Sequence, residues 1–248
     1  MHSFGMSKNH MIMFESPVRF NLKKFLMKKI LSISYRDCIY WDATKNVNVF
    51  ILSKTTGQKL ELKITVDPFF TFHHANTFEK DGFLVVDYCR IEESGNFEAL
   101  LIENMKTGAF KNNPRFLPFF SPMEFPRYSE KVNSKEYKYC YGSSVLGERQ
   151  SEDLVGVIKV NVETCESLIW RRENQNQLCG EPIFVADPNG KLEDDGCLIV
   201  PVMTIDPSEH PYVVILNAKN LEELGRFVIP EQRIPLGFHA LYMSRGGL

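Results

Sequence analysis

Short apolar stretches separated by turn residues make up most of the hydrophobic pattern of this chain. Their length and their β-branched and aromatic content predict strands rather than helices. The polar link at 55–57, which ends in Gly57, predicts a hairpin between two of them. The predicted strands are 48–54, 59–66, 82–88, 154–160, 167–172, 196–205, 212–217 and 226–229. The pattern therefore indicates an all-β protein.

The segment from Asn21 to Ile33 is the one stretch with a convincing helical period. Its apolar residues recur on one face and its lysines lie around the others, while Asn21 can cap the start. A basic amphipathic helix of this kind can lie in a membrane interface, where lysines meet anionic headgroups. An ordinary surface helix has the same pattern, so both interpretations stay open.

Composition narrows the class of protein. A hydrophobic fraction of 44% and a charged fraction of 24% are typical of a globular chain. A net charge of −2 and a pI near 6.3 do not suit a nucleic-acid partner, which requires a concentrated basic face. The six cysteines show no Cys-x-x-Cys spacing, which favours reduced structural thiols.

The hydropathy of the chain bears on its location. No apolar run reaches the roughly 18 residues that span a bilayer, and the N-terminus does not resemble a signal peptide. We therefore expect a cytoplasmic protein, with peripheral membrane contact through residues 21–33 as a further possibility.

Three histidines in well-separated positions carry the candidate chemistry. His2, His73 and His239 each stand among apolar or aromatic residues beside a strand-like stretch. Their spacing is too wide for a local metal loop, so we expect several strands to bring them to a shared axis. Neutral imidazoles suit ferrous iron. His74 would point to the opposite face of an extended strand from His73 and is assigned no ligand role.

Five motifs in order surround these histidines and two acidic residues. They are HSFG at 2–5, FHHANTFE at 72–79, MEFP at 123–126, GEPIFV at 180–185 and IPLGFH at 234–239. In this order they resemble the carotenoid cleavage oxygenase family, and most closely its animal branch of β-carotene dioxygenases and the retinal pigment epithelium isomerohydrolase. The resemblance covers residues 1–248 as one partial oxygenase domain.

The resemblance implies a seven-bladed β-propeller with a ferrous iron site. His2, His73 and His239 match three of the family's four histidine ligands. Glu124 and Glu181 match the glutamates that accept the second N–H of a ligand imidazole, which fixes its tautomer and orientation. Acids among apolar neighbours are costly unless such a partner compensates for lost hydration.

The implied activity is oxidative cleavage of a conjugated double bond. Iron and O2 would convert a carotenoid or apocarotenoid into two carbonyl products without an organic cofactor. An apolar tunnel would exclude water and decide which bond reacts. Its candidate wall residues are Phe69, Phe70, Phe72, Phe184 and Phe238.

Two departures from the family pattern predict a truncated propeller. The motif of the fourth histidine lies upstream of anything equivalent to Met1, and residues 115–119 resemble a strand start that MEFP follows at once. Blades of about 40–45 residues require roughly 300 residues for seven. We expect the first blades and part of a later one to be missing, and His2, without an upstream strand, to fray.

Three functions therefore stay open. The first is an iron-dependent carotenoid dioxygenase, and the second is isomerohydrolase action on a retinyl ester, which uses iron to polarise the ester. The third is a truncated, non-catalytic product that binds carotenoid or retinoid. A requirement for O2 separates the first two, and iron content separates both from the third.

Overall fold

A computed structural model describes residues 2–91, 105–109, 115–116, 123–143, 154–230, 234, 237 and 239–243. Strands dominate this part of the chain, which confirms the all-β prediction. Within it the strands form four antiparallel sheets and a separate two-stranded ribbon.

The N-terminal half forms the first and second sheets. Its strands are β1 (Gly5–Met6), β2 (His10–Glu15), β3 (Val18–Phe20), β4 (Ile39–Trp41), β5 (Val47–Ser53), β6 (Ile64–Val66), β7 (His74–Lys80), β8 (Phe83–Ile91), β9 (Met105–Ala109) and β10 (Arg115–Phe116). The first sheet has the order β1-β2-β5-β6 and the second β10-β9-β8-β7. Strands β3 and β4 form the ribbon, which is inserted between β2 and β5.

The C-terminal half forms the third and fourth sheets. Its strands are β11 (Glu124–Arg127), β12 (Tyr139–Ser143), β13 (Val155–Asn161), β14 (Ser167–Arg171), β15 (Gln177–Cys179), β16 (Ile183–Ala186), β17 (Gly196–Thr204), β18 (Tyr212–Asn217) and β19 (Glu223–Val228). The third sheet has the order β11-β12-β13-β14 and the fourth β15-β17-β18-β19, with β16 also paired to β17. Two 3₁₀ turns lie at Arg36–Cys38 and Glu130–Val132.

Apolar side chains lie between successive sheets and hold them together. The first and second sheets share a buried cluster around Phe14 and Phe69, the second and third one around Phe78 and Ile158, and the third and fourth one around Leu198. Three of these sheets have four strands and the fourth has five, and four-stranded antiparallel sheets packed one after another are the arrangement of propeller blades. The sequence therefore predicted the architecture of these sheets correctly.

Close approach of the first two sheets depends on a glycine. A Cβ atom on Gly5 would lie 2.3 Å from Oγ1 of Thr77 in β7, a separation that real side chains do not reach. Glycine therefore lets β1 lie directly against β7. This contact fixes the position of the residues that precede both strands.

The predicted helix is divided in two. Helix α1 spans Leu22–Leu26 and helix α2 spans Lys28–Leu31, with a break at Met27. Asn21 caps α1 as predicted, because its Oδ1 accepts a backbone N–H of the first turn at 3.0 Å. Neither helix has a buried residue, and the half-buried Phe25 packs against Phe20 and Tyr35, so little packing supports one long helix. Ser32, at a φ of 51°, ends the second helix.

Strand boundaries differ from the sequence prediction by three residues or more in three places, the first being β8, which extends three residues beyond 88 to Ile91. Strand β19 begins three residues before 226, and only the last part of 59–66 is a strand, with an isolated bridge from Lys59 to Leu52. The predicted hairpin at 55–57 is confirmed, with Gly57 at a φ of 69°. Among the described helices, none is long and apolar enough to cross a membrane.

Candidate metal centre

Three histidines from distant parts of the chain meet at one point. Ring nitrogens of His2, His73 and His239 all lie within 4.8 Å of one another. The Nε2 atoms of His73 and His239 are 3.3 Å apart, and the ring of His2 lies 4.9 Å from that of His73. His2 precedes β1, His73 precedes β7, and His239 lies near the C-terminal end of the described chain. The structure thus brings together the three histidines that the sequence singled out.

His73 is held by a carboxylate on the neighbouring sheet. Its Nδ1 forms a short hydrogen bond with Oε2 of Glu124, which also accepts the backbone N–H of Phe125 at 3.1 Å. Both side chains are nearly buried, at 12% exposure for His73 and 6% for Glu124. Because the carboxylate occupies Nδ1, the Nε2 atom of His73 is left to face the other histidines.

His239 has a more elaborate set of contacts. Its Nδ1 lies 3.1 Å from Oε1 of Glu181, and the backbone N–H of Ala240 donates to Oε2 of Glu181 at 2.8 Å. Arg127 donates to the same Oε2 at 2.8 Å. Burial opposes ionisation of Glu181, but the hydrogen bonds from Arg127, Ala240 and His239 outweigh it and lower the pKa of Glu181. This carboxylate is therefore charged at neutral pH.

The strands that carry the site depart from regular pairing there. In β11, Glu124 lies opposite Ser143 and Arg127 opposite Tyr141, so three steps on one strand match two on its partner. This is a β-bulge, and it turns Glu124 and Arg127 to the same side, although residues three apart in a regular strand face opposite sides. Because both side chains point to the same side, strand β11 contacts His73 through Glu124 and supports His239 through Arg127 and Glu181.

Similar irregularities occur on both neighbouring sheets. Strand β7 has an extra residue between His74 and Thr77. Strands β15 and β16 pair with the same strand, β17, but are separated by Gly180, Glu181 and Pro182. Glu181 thus lies in a break between two strands, where the alternation of side chains along a strand does not set the direction of its side chain. Bulges and breaks of this kind re-aim side chains beside functional sites.

Phe125 sits between two of the histidines in an unusual backbone conformation. Its φ is 54°, in the left-handed region that residues with large side chains rarely adopt. Its ring centre lies 5.3 Å from that of His73 and 5.7 Å from that of His239. The surrounding structure therefore imposes local strain at the residue that follows Glu124, a feature often found at functional sites.

The backbone beside His2 contacts the second sheet through Ser3, while the His2 side chain is exposed, and the fraying expected of His2 stays a prediction. Oγ of Ser3 accepts the backbone N–H of His74 at 2.9 Å and lies 3.0 Å from its Nδ1. Burial, together with the proximity of His73 and His239, lowers the pKa of His2. The neutral imidazole that a metal ligand requires is thus the favoured form.

His74 lies outside the cluster, in agreement with the absence of a ligand role. Its ring is stacked on Phe14, with ring centres 4.8 Å apart. Burial lowers the pKa of His74 to about 4, so it is a neutral core residue at physiological pH. Alternation along the strand correctly separated it from His73.

The candidate wall residues divide between site and core. Phe72 lies 5.6 Å from His2 between ring centres and contacts Phe70. Phe69 is fully buried in the core, and Phe184 is stacked on a core tyrosine. Phe238 lies outside the described residues.

The sequence did not single out Arg127, although it directly follows the MEFP motif, because alternation would turn it away from Glu124.

The donor set fits a divalent metal ion. Neutral imidazoles bind iron, zinc, copper and nickel. In His73 and His239 the glutamates engage Nδ1, which leaves both Nε2 atoms directed at the shared point. The two carboxylates also supply negative charge beside it. These residues could hold iron, with His2, His73 and His239 as the binding side chains.

Residues 1–244 match the family described as retinal pigment epithelial membrane protein. The chain belongs to this family. The human mitochondrial carotenoid-cleaving dioxygenase is 30% identical over 98% of this chain and 50% of its own length. Human beta,beta-carotene 15,15'-dioxygenase is 25% identical over 98% of this chain and 52% of its own length. The chain thus spans about half the length of these family members.

The fold of the family is confirmed by a solved structure. Cobalt-substituted apocarotenoid oxygenase from Synechocystis superposes with a TM-score of 0.80 at 21% identity, over 98% of this chain and 52% of the other. The alignment with the mitochondrial carotenoid-cleaving dioxygenase of Mustela putorius furo extends over 302 residues, at 29% identity, over 98% of this chain and 54% of that protein. Since this exceeds the 248 residues of the chain, the relative contains internal residues that the chain lacks.

Proposed function

We propose that this protein cleaves a carotenoid or apocarotenoid double bond oxidatively, using Fe(II) and O2. The convergence of His2, His73 and His239, with a glutamate bonded to two of them, is the observation that carries this proposal. Membership of a family with carotenoid-cleaving dioxygenases supports it. Iron bound here would supply the activation of O2 toward the alkene.

The reaction adds the two atoms of O2 to the two carbons of one double bond. The carbon–carbon bond breaks, and each carbon leaves as a carbonyl with one oxygen atom. Glu124 and Glu181 keep the Nδ1 protons of their histidines in place, so that the Nε2 lone pairs face the shared point. Phe72 and Phe125 lie against the histidines and would keep water from the reacting bond.

An adjoining cavity supports access for an elongated apolar substrate. It has a volume of about 330 Å³ and is lined by His2, Phe14, Phe50 and Phe70 together with polar residues that include Arg19. If one end of a polyene enters this cavity, a double bond farther along the polyene would lie beside His2. The choice of bond would then depend on how deeply the substrate enters.

We also propose that α1 and α2 make peripheral contact with a membrane. Leu26 is 71% exposed and Ile30 is 81% exposed, while four lysines lie on the same two helices. Apolar side chains can enter the acyl region while lysines meet anionic headgroups. Such contact suits a substrate that is insoluble in water. Flotation with vesicles containing phosphatidylserine, compared between wild type and I30E, tests it, and equal flotation would contradict it.

Product analysis tests the proposed reaction. The full chain is loaded anaerobically with Fe(II), desalted and given β-carotene or an apocarotenal in detergent micelles under ¹⁸O₂. We expect two carbonyl products, each with one ¹⁸O atom when exchange with water is suppressed by rapid reduction to alcohols. H73A should give no product, while H210A, which removes an exposed histidine outside the cluster, should retain turnover.

The same assay separates the alternative functions. Turnover of a retinyl ester without O2 would support isomerohydrolase chemistry and contradict the proposed oxidation. Retention of carotenoid by a folded, iron-loaded chain without turnover would support a binding role instead. Negligible iron on a folded chain would contradict both metal-dependent reactions.

A further inference from the structure

We propose that Arg127 is a positioning residue that docks the segment carrying His239 and so completes the metal centre. The proposal rests on the proposed function in one respect, because it takes His239 as a metal ligand. Arg127 donates its hydrogen bonds to Glu181 and to the backbone of Ala240. It acts on His239 through Glu181 and Ala240.

One guanidinium nitrogen joins three separate parts of the chain. Nη2 of Arg127, at the end of β11, donates to Oε2 of Glu181 at 2.8 Å and to the backbone oxygen of Ala240 at 3.0 Å. The N–H of Ala240 returns to the same Oε2 at 2.8 Å. The third sheet, the break in the fourth sheet and the His239 segment therefore meet in one closed set of hydrogen bonds.

Within the described part of the chain, few other contacts hold the His239 segment. Residues 239–243 belong to no strand or helix, and the side chain of His239 is 49% exposed. Leu241 and Met243 are 78% and 66% exposed, so apolar burial contributes little. Polar contacts to Ala240 and His239 must supply most of the ordering. Besides the approach of Nε2 of His239 to that of His73 and the ring contacts of His239 with His2, His73 and Phe125, the polar contacts among the described residues pass through Glu181 or Arg127.

Arginine suits this task better than lysine. The side chain of Glu181 is only 4% exposed, so its negative charge requires a compensating cation. A guanidinium is a rigid planar group with several donors and can bridge two acceptors at once, whereas an ammonium is a more mobile point charge. The bulge in β11 directs Arg127 toward these acceptors.

The test compares R127M and R127K with R226M in the full chain. Arg226 is a matched control, because it also pairs with glutamates, Glu173 and Glu223, and none of these contacts the histidine cluster. Metal affinity is measured by anaerobic titration with Co(II), a visible-absorbing probe. We expect R127M to weaken Co(II) binding about 10–100-fold, R127K to weaken it less, and R226M to leave it unchanged.

A second readout needs no metal. Hydrogen exchange is followed in metal-free protein at the peptide containing Ala240, whose N–H donates to Glu181. We expect faster exchange there in R127M and R127K, at wild-type rates elsewhere, and no change in R226M. In an H239A background, the effect of R127M on Co(II) affinity should disappear while its effect on exchange remains.

The outcomes separate this proposal from the proposed function. Wild-type exchange at Ala240 in R127M, or equal loss of Co(II) affinity in R226M, would overturn the positioning role. Faster exchange in R127M together with no Co(II) or Fe(II) binding by the wild type would overturn the metal-dependent function and leave the docking role intact. If R127M does not fold, R127K carries the same comparison.

Discussion

His73 and His239 reach the same point by different means. His73 leads directly into a strand and is 12% exposed, and one carboxylate, that of Glu124, holds its ring. His239 lies outside regular structure at 49% exposure, and its ring is held through Glu181, Arg127 and the backbone of Ala240. The comparison teaches that packing can substitute for polar contacts: where a sheet fixes the backbone, a single acceptor is enough.

The two carboxylates differ in the same way. Glu181 has Arg127 as a cationic partner, whereas Glu124 has no lysine or arginine partner within the described part of the chain. One oxygen of Glu124, Oε1, is buried there without a hydrogen-bond partner. Glu124 therefore relies on His73 and a backbone N–H, and a metal ion bound nearby would supply the positive charge that it lacks.

Removal of the histidines gives the largest expected effect. We expect H73A H239A to reduce iron from about one per chain to near zero after anaerobic loading and desalting, because only His2 of the cluster remains. Of the single variants, H73A should lose more iron than H239A, because H73A removes a ligand held in a fixed position and leaves a buried cavity. Iron content is measured by mass spectrometry, with circular dichroism to confirm the fold. Unchanged iron in the double variant would show that these residues are not ligands.

Neutralising each carboxylate sharpens the comparison. We expect E124Q and E181Q each to weaken metal binding about 10–100-fold, because each amide disturbs the acceptor of a ligand imidazole. Only E181Q should also speed hydrogen exchange at Ala240, since Glu181 accepts that N–H and Glu124 does not. Titration with Co(II) and exchange mass spectrometry measure the two effects. Equal hydrogen exchange at Ala240 in E124Q and E181Q would contradict the difference between the Glu124–His73 and Glu181–His239 pairs.

Substitution of Phe125, the shared neighbour of His73 and His239, tests the backbone strain beside these histidines. Its ring contacts both, and its φ of 54° favours glycine. Loss of the ring should destabilise both F125A and F125G by about 3–5 kcal/mol. Glycine should be less harmful than alanine by about 1 kcal/mol, the reverse of the usual order in a strand. Urea unfolding measures both values, and a lower stability for F125G would contradict the strain.

The smallest expected effect concerns the far end of the strand that follows His73. Hydrogen bonds from Ser7 lower the pKa of Glu79 to about 2, against the opposing effect of burial and with further donors on Asn9 and His10. An unfolded glutamate has a higher pKa, so the unfolded chain binds more protons between about pH 4.5 and 2. The stabilisation by Glu79 should therefore be present above pH 4.5 and decline as the pH falls toward 2.

Thermal unfolding of wild type and E79Q across this range measures that decline. We expect the wild type to be more stable at pH 6 and the difference to narrow as the pH falls. Among the described residues, Glu79 bonds to Ser7, Asn9 and His10 and not to the His239 segment, so exchange at Ala240 should be unchanged in E79Q. A difference in melting temperature that does not depend on pH would contradict the assignment.

Much of this protein follows from its sequence. The alternation and spacing of apolar stretches predicted an all-β chain, and the ordered motifs predicted a partial propeller of the family together with the residues that meet in the cluster. Those predictions succeeded because strand preference and motif wording are local properties. The boundaries of β6 and β19 and the division of the helix at Met27 were less accurate, since neighbours decide where such elements end.

Only the tertiary structure decided how the residues at the centre are aimed. The bulge in β11 turns Arg127 toward Glu181, and the break around Glu181 frees its side chain from the sheet. Ser3, the neighbour of His2, is held by a contact with His74, 71 positions away. A β-bulge reverses which side chains face which side of a sheet, and nothing in the hydrophobic pattern of the sequence marks its position. Contacts between distant segments arise only when the sheets pack. For this reason the sequence identified the histidines but not the arginine that positions one of them.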